Sequence, residues 1–90
     1  MQIEFSPFVL KELKRIKRRD GKLAGKIVKQ LSIFKLNQKH PSLRLHKLTS
    51  KKDVLSVSIT ISIRMLYKMI DGDTAYFFDI GTHDEVYKNN

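Results

Sequence analysis

The run VLSVSITISIRMLYKMI, Val54–Ile70, decides the fold. Val57, Ile59, Ile61 and Ile63 alternate with Ser56, Ser58, Thr60, Ser62 and Arg64, the period of a β-strand with one apolar face. A strand is typically about five or six residues long, so a run of this length predicts two strands with a turn near Thr60–Ser62. Asp71-Gly72 follows at once and is a two-residue hairpin signal. TAYFFDI, Thr74–Ile80, then reads as the last strand.

Working outward from this hairpin run, SLRLHKL (Ser42–Leu48) also alternates, with Leu43 and Leu45 opposed to Arg44 and His46. The opening QIEF sets Ile3 and Phe5 against Gln2 and Glu4 and reads as a short strand. Ser6-Pro7 is an N-cap followed by proline at the first helical position. The helix it starts carries Leu10, Leu13 and Ile16 on one stripe, with Phe8 and Val9 beside it, and Lys11, Lys14, Arg15 and Arg18 opposite. Asp20-Gly21 breaks it. A second helix presents Leu23, Ile27, Leu31 and Phe34 and ends near Asn37, because Pro41 disfavours helix at His40. Two helices before a run of hairpin-linked strands predict an α+β domain over residues 1–90, with the helices packed on a mostly antiparallel sheet of four to five strands.

The 90 residues bound this to one modest core. The formal charge of +9 is distributed unevenly: residues 1–52 hold fifteen Lys/Arg and three Asp/Glu, residues 53–90 three and six. A one-sided excess of this kind suits a polyanion or an acidic protein. There is no cysteine, and the three histidines lack ligand spacing, so neither a metal site nor a cofactor is expected. No stretch reads as a signal peptide or reaches the roughly 20 apolar residues of a membrane helix, and the expected location is the cytoplasm.

The element order, together with LHKL (Leu45–Leu48), SIRMLYKM (Ser62–Met69) and DIGTHDEVY (Asp79–Tyr87), resembles the RelE/ParE superfamily of type II toxins, nearest its ribosome-dependent mRNA-cleaving branch. In that family an Arg precedes two apolar residues and a Tyr, and a Gly-x-His or Gly-x-Arg precedes a closing aromatic. The resemblance implies a toxin that cleaves mRNA on the ribosome and is silenced by a cognate acidic antitoxin encoded next to it. It assigns Arg64 to the scissile phosphate, His83 to proton transfer and Tyr87 to stacking or orientation.

These residue types suit the chemistry. Metal-independent RNA cleavage needs the 2′-OH deprotonated, the phosphorane's charge stabilised and the 5′-oxygen protonated. Histidine serves either proton step, the guanidinium fork serves the phosphate, and tyrosine stacks on a base or donates a hydrogen bond. His46 is a secondary candidate, for which a structural role is the simpler reading. His40, in the turn before Pro41, reads as structural. Asp84 and Glu85 serve either to orient His83 or as the acidic start of a last helical turn. Lys47, Lys51, Lys52 and Ser58 are assigned to RNA contact.

One departure stands out. Several members of the branch carry Lys or Arg where this chain has Ser56 and Ser58. A hydroxyl brings no charge to a phosphate, so this implies either a site resting on its histidines or a weakened enzyme. Two other classes remain: a gyrase-poisoning toxin of the same superfamily, which would not need His83 and Tyr87, and a basic RNA-binding module, which would expose Tyr76, Phe77 and Phe78 as a stacking platform.

Overall fold

The computed structural model describes residues 1–49 and 51–90. The chain runs β1 (Gln2–Phe5), α1 (Pro7–Arg19), α2 (Gly21–Leu36), β2 (His46–Lys47), β3 (Leu55–Ser58), β4 (Ile63–Met69), β5 (Thr74–Thr82) and α3 (His83–Asn89). The strands form one sheet in the order β1-β5-β4-β3-β2. β1 lies parallel to β5, and all other pairs are antiparallel.

The helix boundaries follow from local chemistry. The Ser6 hydroxyl accepts from the Val9 N–H, and Pro7 needs no partner at the first position. Asp20 ends α1 and caps α2, accepting from the Leu23 N–H. α2 stops at Asn37, as its sequence predicts. α1 and α2 cover one face of the sheet. Val9, Ile16, Ile27 and Phe34 pack there against Val57, Met65, Tyr67, Ala75 and Phe77. Phe34, Tyr67 and Phe77 form an aromatic trio with ring centroids 4.9–5.3 Å apart, each such contact worth about 0.5–1.5 kcal/mol beyond the area it buries. The short α3 packs on the opposite face, setting Val86 against Leu66, Leu48 and Val54.

The structure corrects three readings. First, the buried stripe of α1 is Val9 and Ile16 with half-buried Leu13 between them, while Leu10 is exposed, so the helix is rotated by about one residue from the stripe read in the sequence. Second, Ser42–Leu48 is not one strand. Pro41–Leu43 forms a 3₁₀ turn, the His40 ring accepts from the Ser42 N–H, and Arg44 takes a left-handed conformation (φ 45°, ψ 49°). Only His46 and Lys47 pair with β3. Proline's fixed φ and the side-chain acceptor at His40 win over the alternating pattern. Third, β5 runs past Ile80 to Thr82, where Thr82 and Glu85 close a capping box that starts α3.

The turn expected near Thr60–Ser62 is present. Thr60 Oγ1 accepts from the N–H groups of Ser62 and Ile63. The alternation fails inside the turn, where Ile61 is 94% exposed.

Burial pushes the Tyr67 hydroxyl up to about 12, against an ordinary value of 10.0. An acid group with a raised folded value contributes stability that is intact below the unfolded value and is lost as pH rises through the folded one. Urea unfolding should therefore show a decline between pH about 10 and about 12 that is reduced in Tyr67→Phe. An identical decline in the two proteins would contradict this placement of Tyr67.

Candidate active site

On the α3 side of the sheet, a guanidinium, two imidazoles and a phenol meet. Arg64 is on β4, one residue from the strand's start, and is 8% exposed. It is thus a buried cation. Its Nε donates to Ser56 Oγ (2.5 Å) across the β3–β4 ladder, and Nη2 donates to the carbonyl of Arg44 (3.0 Å). Nη2 also lies 3.4 Å from the Ser56 carbonyl and 3.3 Å from His46 Nδ1. Burial holds the Arg64 guanidinium below its ordinary value, the nearby Tyr87 hydroxyl opposes that shift, and Arg44 adds to it.

His46 sits between Arg64 and Tyr87, with both ring nitrogens in contact. Its Nε2 is hydrogen-bonded to the Tyr87 hydroxyl, and its Nδ1 lies 3.1 Å from the Arg44 carbonyl. Nδ1 can accept from Arg64 or donate to Arg44, but not both in one tautomer. When Nδ1 carries the proton, Nε2 accepts from Tyr87; when Nδ1 accepts, Nε2–H donates to Tyr87. The contacts around the ring support both proton arrangements.

His83 opens α3, with its side chain 57% exposed. Its ring packs on Tyr87 at a centroid distance of 4.1 Å, and its Nδ1 is 3.5 Å from an Asp84 carboxylate oxygen. Asp84 thus stands where it can orient His83, whereas Glu85 is committed to the capping box. The Thr82 backbone N–H holds the Glu85 carboxyl below its usual value. Arg64, His46, Tyr87 and His83 form one continuous series of contacts. Among the described residues, no group of three or more His, Cys, Asp or Glu gathers as a metal ion would need.

The other assigned residues lie elsewhere. Lys47, Lys51 and Lys52 line a separate groove with Lys68 over Leu55 and Met69, and that groove includes no member of the Arg64 cluster. Ser58 is buried, and its hydroxyl donates to the Thr60 carbonyl (2.8 Å), so its proton is not offered to a phosphate. Phe77 is in the core and Phe78 packs with Val86 and Leu66, which dismantles the stacking platform an RNA-binding module would need.

Three contributors escaped the sequence reading. Ser56 looked like a missing charge, but it is the acceptor that holds Arg64. Arg44 contributes its backbone carbonyl, for which the sequence carries no signal. Gln30 is a buried polar residue within the apolar stripe of α2, and that position was its legible signal. Its Nε2 donates to the carbonyls of Ser58 (3.0 Å) and Ser42 (3.3 Å), fixing the turn that presents Arg44.

Neither family models nor curated protein sequences match the chain. Solved structures do. The YoeB/ParE toxin from Agrobacterium tumefaciens superposes with a TM-score of 0.78 at 16% identity, covering 92% of this chain and 99% of that one. YoeB in the YoeB–YefM complex from Staphylococcus aureus gives 0.75 at 21% identity, covering 92% and 97%. YafQ from E. coli strain BL21(DE3) gives 0.75 at 20%, covering 96% and 97%. The fold that the resemblance implied is therefore the fold this chain has, that of the YoeB/ParE and YafQ toxins.

The Ser56–Arg64 bond makes a sharp prediction. Ser56→Ala leaves a buried charged donor without its acceptor and should destabilise the protein by about 1.5–3 kcal/mol. Ser56→Lys should cost about 3–5 kcal/mol by burying an unpaired cation beside Arg64. Urea unfolding of the three proteins checks both, and a Ser56→Lys protein as stable as wild type would refute the arrangement.

Proposed function

We propose that this chain is the toxin of a type II toxin–antitoxin pair, an endoribonuclease that cuts mRNA on translating ribosomes without a metal ion. The observation that carries the reading is the contact series Arg64–His46–Tyr87–His83. It brings together a fixed cation for the phosphorane and two separate routes for protons, the combination that intramolecular RNA cleavage requires.

The roles divide by exposure and bonding. His83 has its ring exposed at the start of α3, with Nδ1 3.5 Å from the Asp84 carboxylate, and it takes the proton from the 2′-OH. The freed oxygen attacks the adjacent phosphorus, and the bond to the 5′-oxygen breaks. Tyr87 donates its proton to that leaving oxygen and recovers one from the Nε2 of a doubly protonated His46, whose Nδ1–H stays on the Arg44 carbonyl and whose ring is left neutral. The Arg64 guanidinium stabilises the charge that builds on the non-bridging oxygens. Held by Ser56 and Arg44, it needs little reorganisation as the charge develops. Arg44 and Gln30 act through Arg64 and His46 and are positioning residues.

A cognate antitoxin fits the rest of the surface. YoeB and YafQ are seen in complexes with YefM and DinJ. Here, Val28 and Leu36 on α2 and Phe8 on α1 are large apolar side chains left exposed beside the basic faces of both helices. An acidic partner with apolar anchors matches that surface. If the product of the adjacent gene neither co-purifies with this chain nor suppresses growth arrest by it, the antitoxin assignment fails.

The nuclease reading is tested on programmed ribosomes. His83→Ala and His46→Ala should each lower the cleavage rate by roughly 10²–10⁴-fold, the worth of a positioned proton-transfer group. Both should keep the wild-type circular dichroism spectrum. Folded variants that cut as fast as wild type would remove the two histidines from the chemistry. Arg64 is a poorer probe, because replacing a buried, bonded cation also perturbs the fold.

A further inference from the structure

A second basic groove opens one strand away from Arg64. Lys26 and Lys29 of α2 line it with His40 and Arg44, Ser58 lies within it, and Ile61 is at its edge. No carboxylate lines this groove among the described residues. Its shape is fixed from beneath, because the buried Gln30 amide bonds both the Ser42 and the Ser58 carbonyls.

Two residues tie this groove to the Arg64 cluster, although Arg64 itself does not line it. Ser58 is directly opposite Arg64 in the β3–β4 register. Arg44 belongs to both places: its carbonyl accepts from Arg64 Nη2, and the residue lines the groove. Its left-handed conformation (φ 45°) turns the chain there, a position that a side chain other than glycine seldom takes and that the surrounding contacts must hold. A polyanion lying on Arg64 thus meets further cations along one side. Ile61, almost wholly in water at the tip of the β3–β4 turn, offers an apolar surface to a base at the rim.

We propose that this groove binds the RNA nucleotides that flank the scissile phosphate, with Lys26 and Lys29 contacting successive phosphates and Arg44 bridging to the cleavage centre. The placement of the scissile phosphate rests on the nuclease reading above; the binding of single-stranded RNA does not. An acidic protein segment also matches the charge, but the link to Arg64 through Arg44 and Ser58 favours a strand that carries a phosphate at every step.

The test uses a short fluorescein-labelled single-stranded RNA with 2′-O-methyl riboses, which cannot be cut by attack of a 2′-OH. Its dissociation constant is measured by anisotropy across a range of salt concentrations. Each phosphate contact on a single strand contributes about 0.7 to the slope of log K against log salt, so Lys26→Gln/Lys29→Gln should reduce that slope by about 1.4. Lys11→Gln/Lys14→Gln, which removes the same charge from the outer face of α1, should change it little. The proposal is overturned if the α2 variant keeps the wild-type slope, as it would were the groove a protein site, if the α1 variant loses as much, or if the wild type binds no RNA. RNA binding through α2 by a protein that never cleaves would instead contradict the nuclease reading and leave the groove assignment standing.

Discussion

A guanidinium taken out of water is costly unless its donors are answered, and Arg64 is answered from three segments of the chain. Ser56 on β3 accepts at Nε, the Arg44 carbonyl accepts at Nη2, and His46 on β2 lies against the same nitrogen. The requirement reaches outward from there. β3 must pair with β4 in the register that sets Ser56 beside Arg64. The chain before β2 must turn left-handed to aim a carbonyl inward, and Gln30 must reach across from α2 to hold that turn. The architecture of this edge of the sheet is largely a solution to one buried charge.

The same arrangement explains how a small domain holds the Arg64 cluster in place. The two faces of the sheet divide the work. One carries the aromatic trio and the α1–α2 layer, where packing supplies stability. The other carries the cation and the imidazoles beside a smaller apolar cluster of Leu48, Val54, Leu66 and Val86, under α3. Because α3 starts at the Thr82–Glu85 capping box, its first residue is His83, and one turn further Tyr87 reaches back over His46. Helix initiation chemistry thus positions two of the four residues in the cluster.

Much of the fold could be read in the sequence because its signals are local. The Ser6-Pro7 start and the Asp20-Gly21 break rest on residues with strong backbone preferences, and the turn within the Val54–Ile70 run was read from strand length alone. Asp71-Gly72 marks the β4–β5 turn, although that turn takes four residues, 70–73, where the dipeptide suggests two. The segment from Pro41 to Leu48 was misread because its alternation is genuine but is overridden by proline and by a side-chain acceptor at His40. The site was legible in its side chains and opaque in its supports. Arg64, His83 and Tyr87 stand in recognisable patterns. The part of Arg44 is played by a backbone carbonyl, that of Ser56 depends on cross-strand register, and the place of His46 depends on a helix that begins at His83, far along the chain. The α1 stripe was off by one residue because Phe8, Val9 and Leu10 are all apolar and period alone does not choose among them.

If the cluster promotes attack by the RNA's own 2′-OH, the cut ends carry the record of it. The most direct measurement is the chemistry of the cut ends after a defined mRNA is incubated with ribosomes and the wild-type protein. Attack by the 2′-OH should leave a 5′-hydroxyl on the downstream fragment and a 2′,3′-cyclic phosphate, or the 3′-phosphate from its opening, on the upstream one. A 5′-phosphate on the downstream fragment would mean that water and not the 2′-OH attacked, and would contradict the roles given to His83, His46, Tyr87 and Arg64.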